Sequence, residues 1–118
     1  MSEQQTLNQE FGHYGEELAT RFCRDQGYKI LKRNYHCRFG EVDIIAECEH
    51  VMHFIEVKNR SNDLIPGRYA VNANKQHHIR RVAQNYLLQH GLIDRCMVSF
   101  DVIEITDGKL EFLENCFY

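Results

Sequence analysis

No apolar run in this chain approaches the length of a membrane span, and the polar start Ser2-Glu3-Gln4-Gln5-Thr6 lacks the character of a signal peptide. Five cysteines, at 23, 37, 48, 96 and 116, are an odd number with no C-x-x-C pair, which argues against both a disulfide framework and a structural zinc site. A reducing cytoplasm is therefore the expected compartment. No glycine loop of the phosphate-cradling kind is present, so nucleotide hydrolysis has no support. The serines and cysteines show no base-orienter arrangement, which disfavours covalent nucleophilic catalysis. Internal repeats, low-complexity tracts and linkers are also missing, and the only proline lies in Pro66-Gly67. With 118 residues, 43% hydrophobic and 26% charged, one globular domain over 1–118 is expected.

Net charge is −3, which alone speaks against a nucleic-acid binder, but its distribution is uneven. Residues 29–40 carry Lys29, Lys32, Arg33 and Arg38 and no acidic group. Residues 56–81 carry Lys58, Arg60, Arg68, Lys75, Arg80 and Arg81 against Glu56 and Asp63. The C-terminal segment from Asp94 onward is acidic. A molecule with one basic side follows, although basic runs of this size are also common on plain solvated surfaces.

Phe11, Tyr14, Leu18 and Phe22 recur at helical spacing and predict a helix over 8–26, ended by Gly27. Strands are expected over Tyr28–Tyr35, Glu41–Cys48 and Val51–Asn59, then an exposed loop from Arg60 to Asn72. A second helix is expected over Ala73–His90, and two strands over 97–105 and 109–114 around Asp107-Gly108. The order is α-β-β-β-α-β-β.

The most informative residues are Gly40-Glu41-Val42-Asp43-Ile44-Ile45-Ala46 and Phe54-Ile55-Glu56-Val57-Lys58, where charges interrupt runs that otherwise read as buried strand. A charge facing a core costs several kcal/mol unless it is paired, hydrogen-bonded or metal-bound. Glu56 and Lys58 share a strand face with Phe54. If Glu47-Cys48-Glu49-His50 is the turn, with Ala46 opposite Val51, Asp43 lies opposite Phe54 on that same face and diagonal to Glu56. Two carboxylates and an ammonium then meet in an arrangement suited to a hard divalent cation. The plainer account is an ion-paired Glu-Lys on an edge strand. His77-His78 reads as an exposed helix pair, because adjacent helical side chains diverge by about 100°.

The element order, with G-E-V-D-I-I-A in one strand and I-E-V-K in the next, resembles the PD-(D/E)xK endonuclease-like superfamily. Gly12 to Ala19, Gly27-Tyr28, Arg33-Asn34, Gly40 to Ala46, Phe54 to Arg60, Lys75 and Phe100 to Ile103 resemble its YraN-like bacterial branch of unassigned function, related to archaeal Holliday-junction resolvases. The resemblance implies an α/β fold, a restriction-endonuclease-like α-β-β-β-α-β core whose mixed central sheet is flanked by helices. It implies that Asp43 and Glu56 bind Mg²⁺ or Mn²⁺, and that Lys58 orients or helps deprotonate the attacking water. Glu16 matches the family's additional acidic residue, with Glu17 as the register alternative. Val42 stands where the family usually has a proline.

Beside such a metal the main-chain carbonyl of Val57 is a further expected ligand. Arg60, Lys75, Gln76 and Arg33 are the expected phosphate contacts. The activity so implied is metal-dependent endonucleolytic hydrolysis of DNA, branched DNA included, with a homodimer left open. The competing accounts are a nucleic-acid-binding module of nuclease fold with little or no catalysis, and an interaction protein whose charge cluster is structural.

Overall fold

The computed structural model describes the backbone of residues 3–60 and 72–117, and side chains over 14–59 and 72–117. Helix α1 runs from Glu3 to Asp25, strands β1 from Lys29 to Cys37, β2 from Gly40 to Cys48 and β3 from Val51 to Arg60, helix α2 from Ala73 to Gln89, and strands β4 from Met97 to Thr106 and β5 from Lys109 to Phe117. This is the expected element order. The loop expected between Arg60 and Asn72 lies, apart from its ends, outside the described residues. Helix α1 begins earlier than the apolar period suggests, because Glu3, Gln4 and Gln5 are good helix formers with no breaker among them.

The fold is α/β. Its five strands form one sheet in the order β1-β2-β3-β4-β5. Every neighbouring pair is antiparallel except β3 and β4, which are parallel and joined through the crossover that carries α2. Helix α1 covers one face, with Ala19 and Cys23 on Ile44, Ala46, Ile55 and Ile103. Helix α2 covers the other, with Ile79, Val82 and Tyr86 on Ile45, Phe54 and Val102. Burial of each large side chain in these layers contributes roughly 1.5–3 kcal/mol. Asn72 caps α2 by accepting from the Lys75 amide at 2.9 Å.

One expectation about the β2–β3 hairpin needs correction. The turn has two residues, Glu49 and His50, both at positive φ (50° and 67°), and Cys48 faces Val51. Ala46 therefore faces His53, and Ile45 faces Phe54. Turns of this kind usually advertise themselves with Asn-Gly or Asp-Gly, and Glu-His carries no such signal. The slip is an even number of residues, so the face expected for Glu56 and Lys58 is unchanged.

The β2–β3 ladder ends at Ile44↔Ile55. Beyond it, β2 stays paired with β1 as far as Gly40, and β3 stays paired with β4 as far as Arg60. The sheet thus divides between β2 and β3. Val42, which strict alternation would place with Ile44 beneath α1, packs instead with Ile45 beneath α2. Asp43 occupies the residue where alternation and pairing both fail.

Candidate active site

The division of the sheet leaves the inner edge of β3 without a backbone partner at Val57, and Asp43 fills that role. Its Oδ2 accepts the Val57 N–H at 2.7 Å. Continued by one residue, the hairpin register sets Asp43 against Glu56. Burial first, then the Glu56 charge, pushes the Asp43 carboxyl up to about 7; the Val57 N–H opposes this, Glu16 adds to it and Lys75 opposes it. Asp43 thus feels a carboxylate from α1 on one side and an ammonium from α2 on the other.

Glu56 is 7% exposed. Its Oε1 lies 3.4 Å from Lys58 Nζ and 3.5 Å from Lys75 Nζ. The pairing with Lys58 follows from their shared strand face. The pairing with Lys75 follows from α2, whose first turn is set by the Asn72 cap directly over this end of β3. Lys75, expected to contact phosphate, is therefore a partner of Glu56 in this arrangement.

Glu16 reaches the cluster because α1 crosses β3 at very short range. A Cβ on Gly15 would stand 2.7 Å from Asn59 Nδ2 and 2.8 Å from Asn59 Cβ, closer than side chains pack. Only glycine fits there. A glycine inside a helix costs stability and usually has a packing reason, which was the available signal for this contact. Glu17 points elsewhere and takes Arg33 in an ion pair of 2.8 Å that ties α1 to β1.

The structure therefore gathers Asp43, Glu56, Lys58, Lys75 and Glu16 at the divided end of β2 and β3. Arg33, expected on phosphate, is ion-paired with Glu17 away from this cluster. Val57 supplies its amide to Asp43. Gln76 lies in the first turn of α2 with its N–H on the Asn72 carbonyl at 2.9 Å, and the side chain of Arg60 lies outside the described residues. His77 and His78 are exposed, as expected for a helix surface pair.

Among the described residues no three His, Cys, Asp or Glu side chains stand as a ready metal cage. The donor chemistry is a pair of hard carboxylates with a third at electrostatic range. That fits a cation which keeps several of its waters, as Mg²⁺ does with one or two carboxylates, better than one which demands a full protein shell.

A second polar cluster, at the opposite end of β3, is absent from the sequence expectations. His53 Nδ1 lies 2.6 Å from Asp101 Oδ2, Ser99 donates to Asp101 Oδ1 at 2.6 Å, and the Asn115 N–H donates to the same oxygen at 2.9 Å. Tyr28 packs on the His53 ring. Serine and histidine both address the aspartate and not each other, so no serine nucleophile is activated. The cluster is a buried structural brace between β3, β4 and β5.

The family model described as "Uncharacterised protein family UPF0102" matches residues 15–105. A UPF0102 protein of Alkaliphilus oremlandii is 42% identical over 118 aligned residues, covering 94% of this chain and 100% of the relative. One from Caldicellulosiruptor bescii is 43% identical over 101 residues, covering 83% and 84%. One from Legionella pneumophila (strain Corby) is 35% identical over 114 residues, covering 94% and 97%. No helix among the described residues is long and apolar enough to cross a membrane. The matched span contains every residue of the divided-sheet cluster, and the chain belongs to the UPF0102 family, the YraN-like bacterial family that its motifs resemble.

Proposed function

We propose that this chain is a metal-dependent endonuclease that hydrolyses phosphodiester bonds of DNA, branched or otherwise structured DNA included. The observation that carries this reading is the convergence of Asp43 and Glu56, with Lys58 on Glu56, where β2 and β3 separate. A sheet has no structural need to bring two carboxylates together at a place where its own ladder stops. Their repulsion calls for a cation or a proton, and Asp43 meets it in the metal-free chain by holding a proton to about pH 7.

Asp43 and Glu56 would hold a hydrated Mg²⁺ or Mn²⁺, with the Val57 carbonyl as a further ligand and Glu16 acting through water. When bound, such an ion polarises the phosphate and makes water more acidic. The Val57 N–H fixes one oxygen of Asp43 and so orients the other. Glu56 holds the Lys58 ammonium at the site, where it would orient the attacking water and stabilise charge developing on the phosphorus-bound oxygens. Water would attack phosphorus, releasing its proton to solvent, as the P–O bond to the leaving strand breaks and the leaving oxygen takes up a proton from solvent. Gln76, in the first turn of α2, and Arg60, at the end of β3, would serve as phosphate contacts.

A second reading, a nucleic-acid-binding module with little or no turnover, is favoured by one observation: Glu56 already has two ammonium partners. Incubation of the chain with linear, single-stranded, flapped and four-way DNA, with Mg²⁺ or Mn²⁺, separates the two. The nuclease reading expects metal-dependent cleavage of at least one form, abolished in Asp43→Asn. Binding to these DNAs without cleavage of any establishes the module instead.

A further inference from the structure

The turn between β1 and β2 holds Arg38 and Phe39, and both it and the middle of α2 border a groove of about 310 Å³. The turn packs directly on the helix, since a Cβ on Gly40 would lie only 3.6 Å from His78 Cβ and Val82 Cγ2. Two guanidiniums lie over the one Phe39 ring, Arg81 at 4.2 Å and Arg38 at 4.7 Å from its centroid. Among the described residues neither is in an ion pair. Two like charges gathered on one aromatic face a mutual repulsion that an anion relieves.

The rest of the groove is not simply basic. Leu88, 69% exposed, and Ile93, 38% exposed, form an apolar wall, and Gln84 and Asn85 place side-chain amides between that wall and the guanidiniums. The occupant this combination fits has a flat apolar face, hydrogen-bonding edges and an adjacent negative charge. A nucleotide has all three. A base inside a duplex has both faces stacked and could not lie against the wall, so the strand must be unpaired here.

We propose that the Arg38–Phe39–Arg81 groove is a subsite for one nucleotide of single-stranded DNA, its phosphate on the guanidinium forks and its base against Leu88 and Ile93. The subsite rests on the nuclease reading for its purpose: Lys75 at the divided sheet and Arg81 at the groove are six residues apart, or about 9 Å along α2. The two positions also lie about 120° apart around the helix, so a strand lying at the carboxylate cluster would pass around α2 to reach the groove. The subsite selects DNA with an unpaired region next to the bond addressed.

The test is binding of a fluorescent oligothymidylate and of a blunt duplex of equal length, with chelator present, to the wild-type chain and to an Arg38→Gln/Arg81→Gln double variant. The variant is expected to bind the single strand about tenfold or more weakly while its duplex affinity stays within about twofold. Its single-strand salt dependence is expected to be shallower by about 0.7 in log–log slope, for the one phosphate no longer neutralised. Equal losses on both DNAs, or no loss on either, overturn the subsite while leaving the nuclease reading standing. Failure of the wild type to bind any DNA overturns both. Independently of variant folding, irradiation of the wild-type chain with a 5-iododeoxyuridine oligonucleotide should give a crosslink to the groove lining, at Leu88, Ile93 or Phe39, and crosslinks found only outside the groove also overturn the subsite.

Discussion

The Asp43 carboxylate accepts the main-chain N–H of Val57 at 2.7 Å across the point where their two strands part company. A side chain here does what the neighbouring strand no longer does. The bond holds a carboxylate that burial and Glu56 both oppose, and it leaves the second carboxylate oxygen to other partners.

Lys58→Met is expected to separate binding from chemistry. An ammonium next to the reacting phosphate acts on charge that develops in the transition state, so cleavage should fall by roughly 10²-fold or more. DNA affinity and divalent-ion binding should change little, because Lys58 is neither a ligand nor one of many backbone contacts. Wild-type cleavage rates in this variant would make Lys58 a structural partner of Glu56 and sink the mechanism.

Gly15→Ala is expected to push α1 away from β3, because the added methyl would lie 2.7–2.9 Å from Asn59 side-chain atoms. Overpacking of this kind costs roughly 1–3 kcal/mol. Urea denaturation measures it, and Asn59→Gly in the same chain should recover part of the loss. A Gly15→Ala chain as stable as wild type would show that the crossing has slack.

In chelator, the Asp43 contribution to stability depends on pH in a definite direction. Below its ordinary value of 3.8 the carboxyl is protonated in both folded and unfolded chains, and the full contribution is present. Between there and about 7 the unfolded chain has released its proton and the folded one has not, so stability falls as pH rises, and above about 7 the loss is complete. Asp43→Asn should remove this slope from a series of melts. Binding of Mn²⁺ should strengthen over the same window, as the ion displaces the retained proton. An unchanged melt slope in Asp43→Asn would mean that the carboxyl titrates normally.

Asp101→Ala removes the acceptor that serves His53, Ser99 and the Asn115 amide at once. Taking one member from such a buried arrangement costs about 3–5 kcal/mol. The folded fraction of the variant should keep its Mn²⁺ affinity, since the brace and the carboxylate cluster lie at opposite ends of β3. Loss of metal binding in fully folded variant protein would contradict that separation.

Element order was legible because α1 and α2 repeat apolar residues at helical spacing and the strands alternate, so Ile79, Val82 and Tyr86 announce a face before any fold is known. The shared face of Glu56 and Lys58 was legible for the same reason. The hairpin register was not, since Glu49-His50 adopts a turn its residue types do not favour. Nor was the return of Lys75 onto Glu56, which depends on where α2 is laid over β3, a tertiary fact with no local signal. The His53–Asp101 brace was hidden by distance along the chain. The Arg33–Glu17 pair was not legible either, since it joins two elements 16 residues apart.

Asp43 and Glu56 belong to two arms of a single hairpin that closes over two residues. Hairpins of this length form within microseconds, whereas the parallel pairing of β3 with β4 must wait for the whole crossover and α2. The hairpin that carries the pair is thus expected to form before the layer that buries it is complete. A divalent ion bridging the pair, as we propose, would then act on the transition state for folding as well as on the finished protein. In a chevron experiment its stabilisation should appear in the refolding limb, with the unfolding limb moving less.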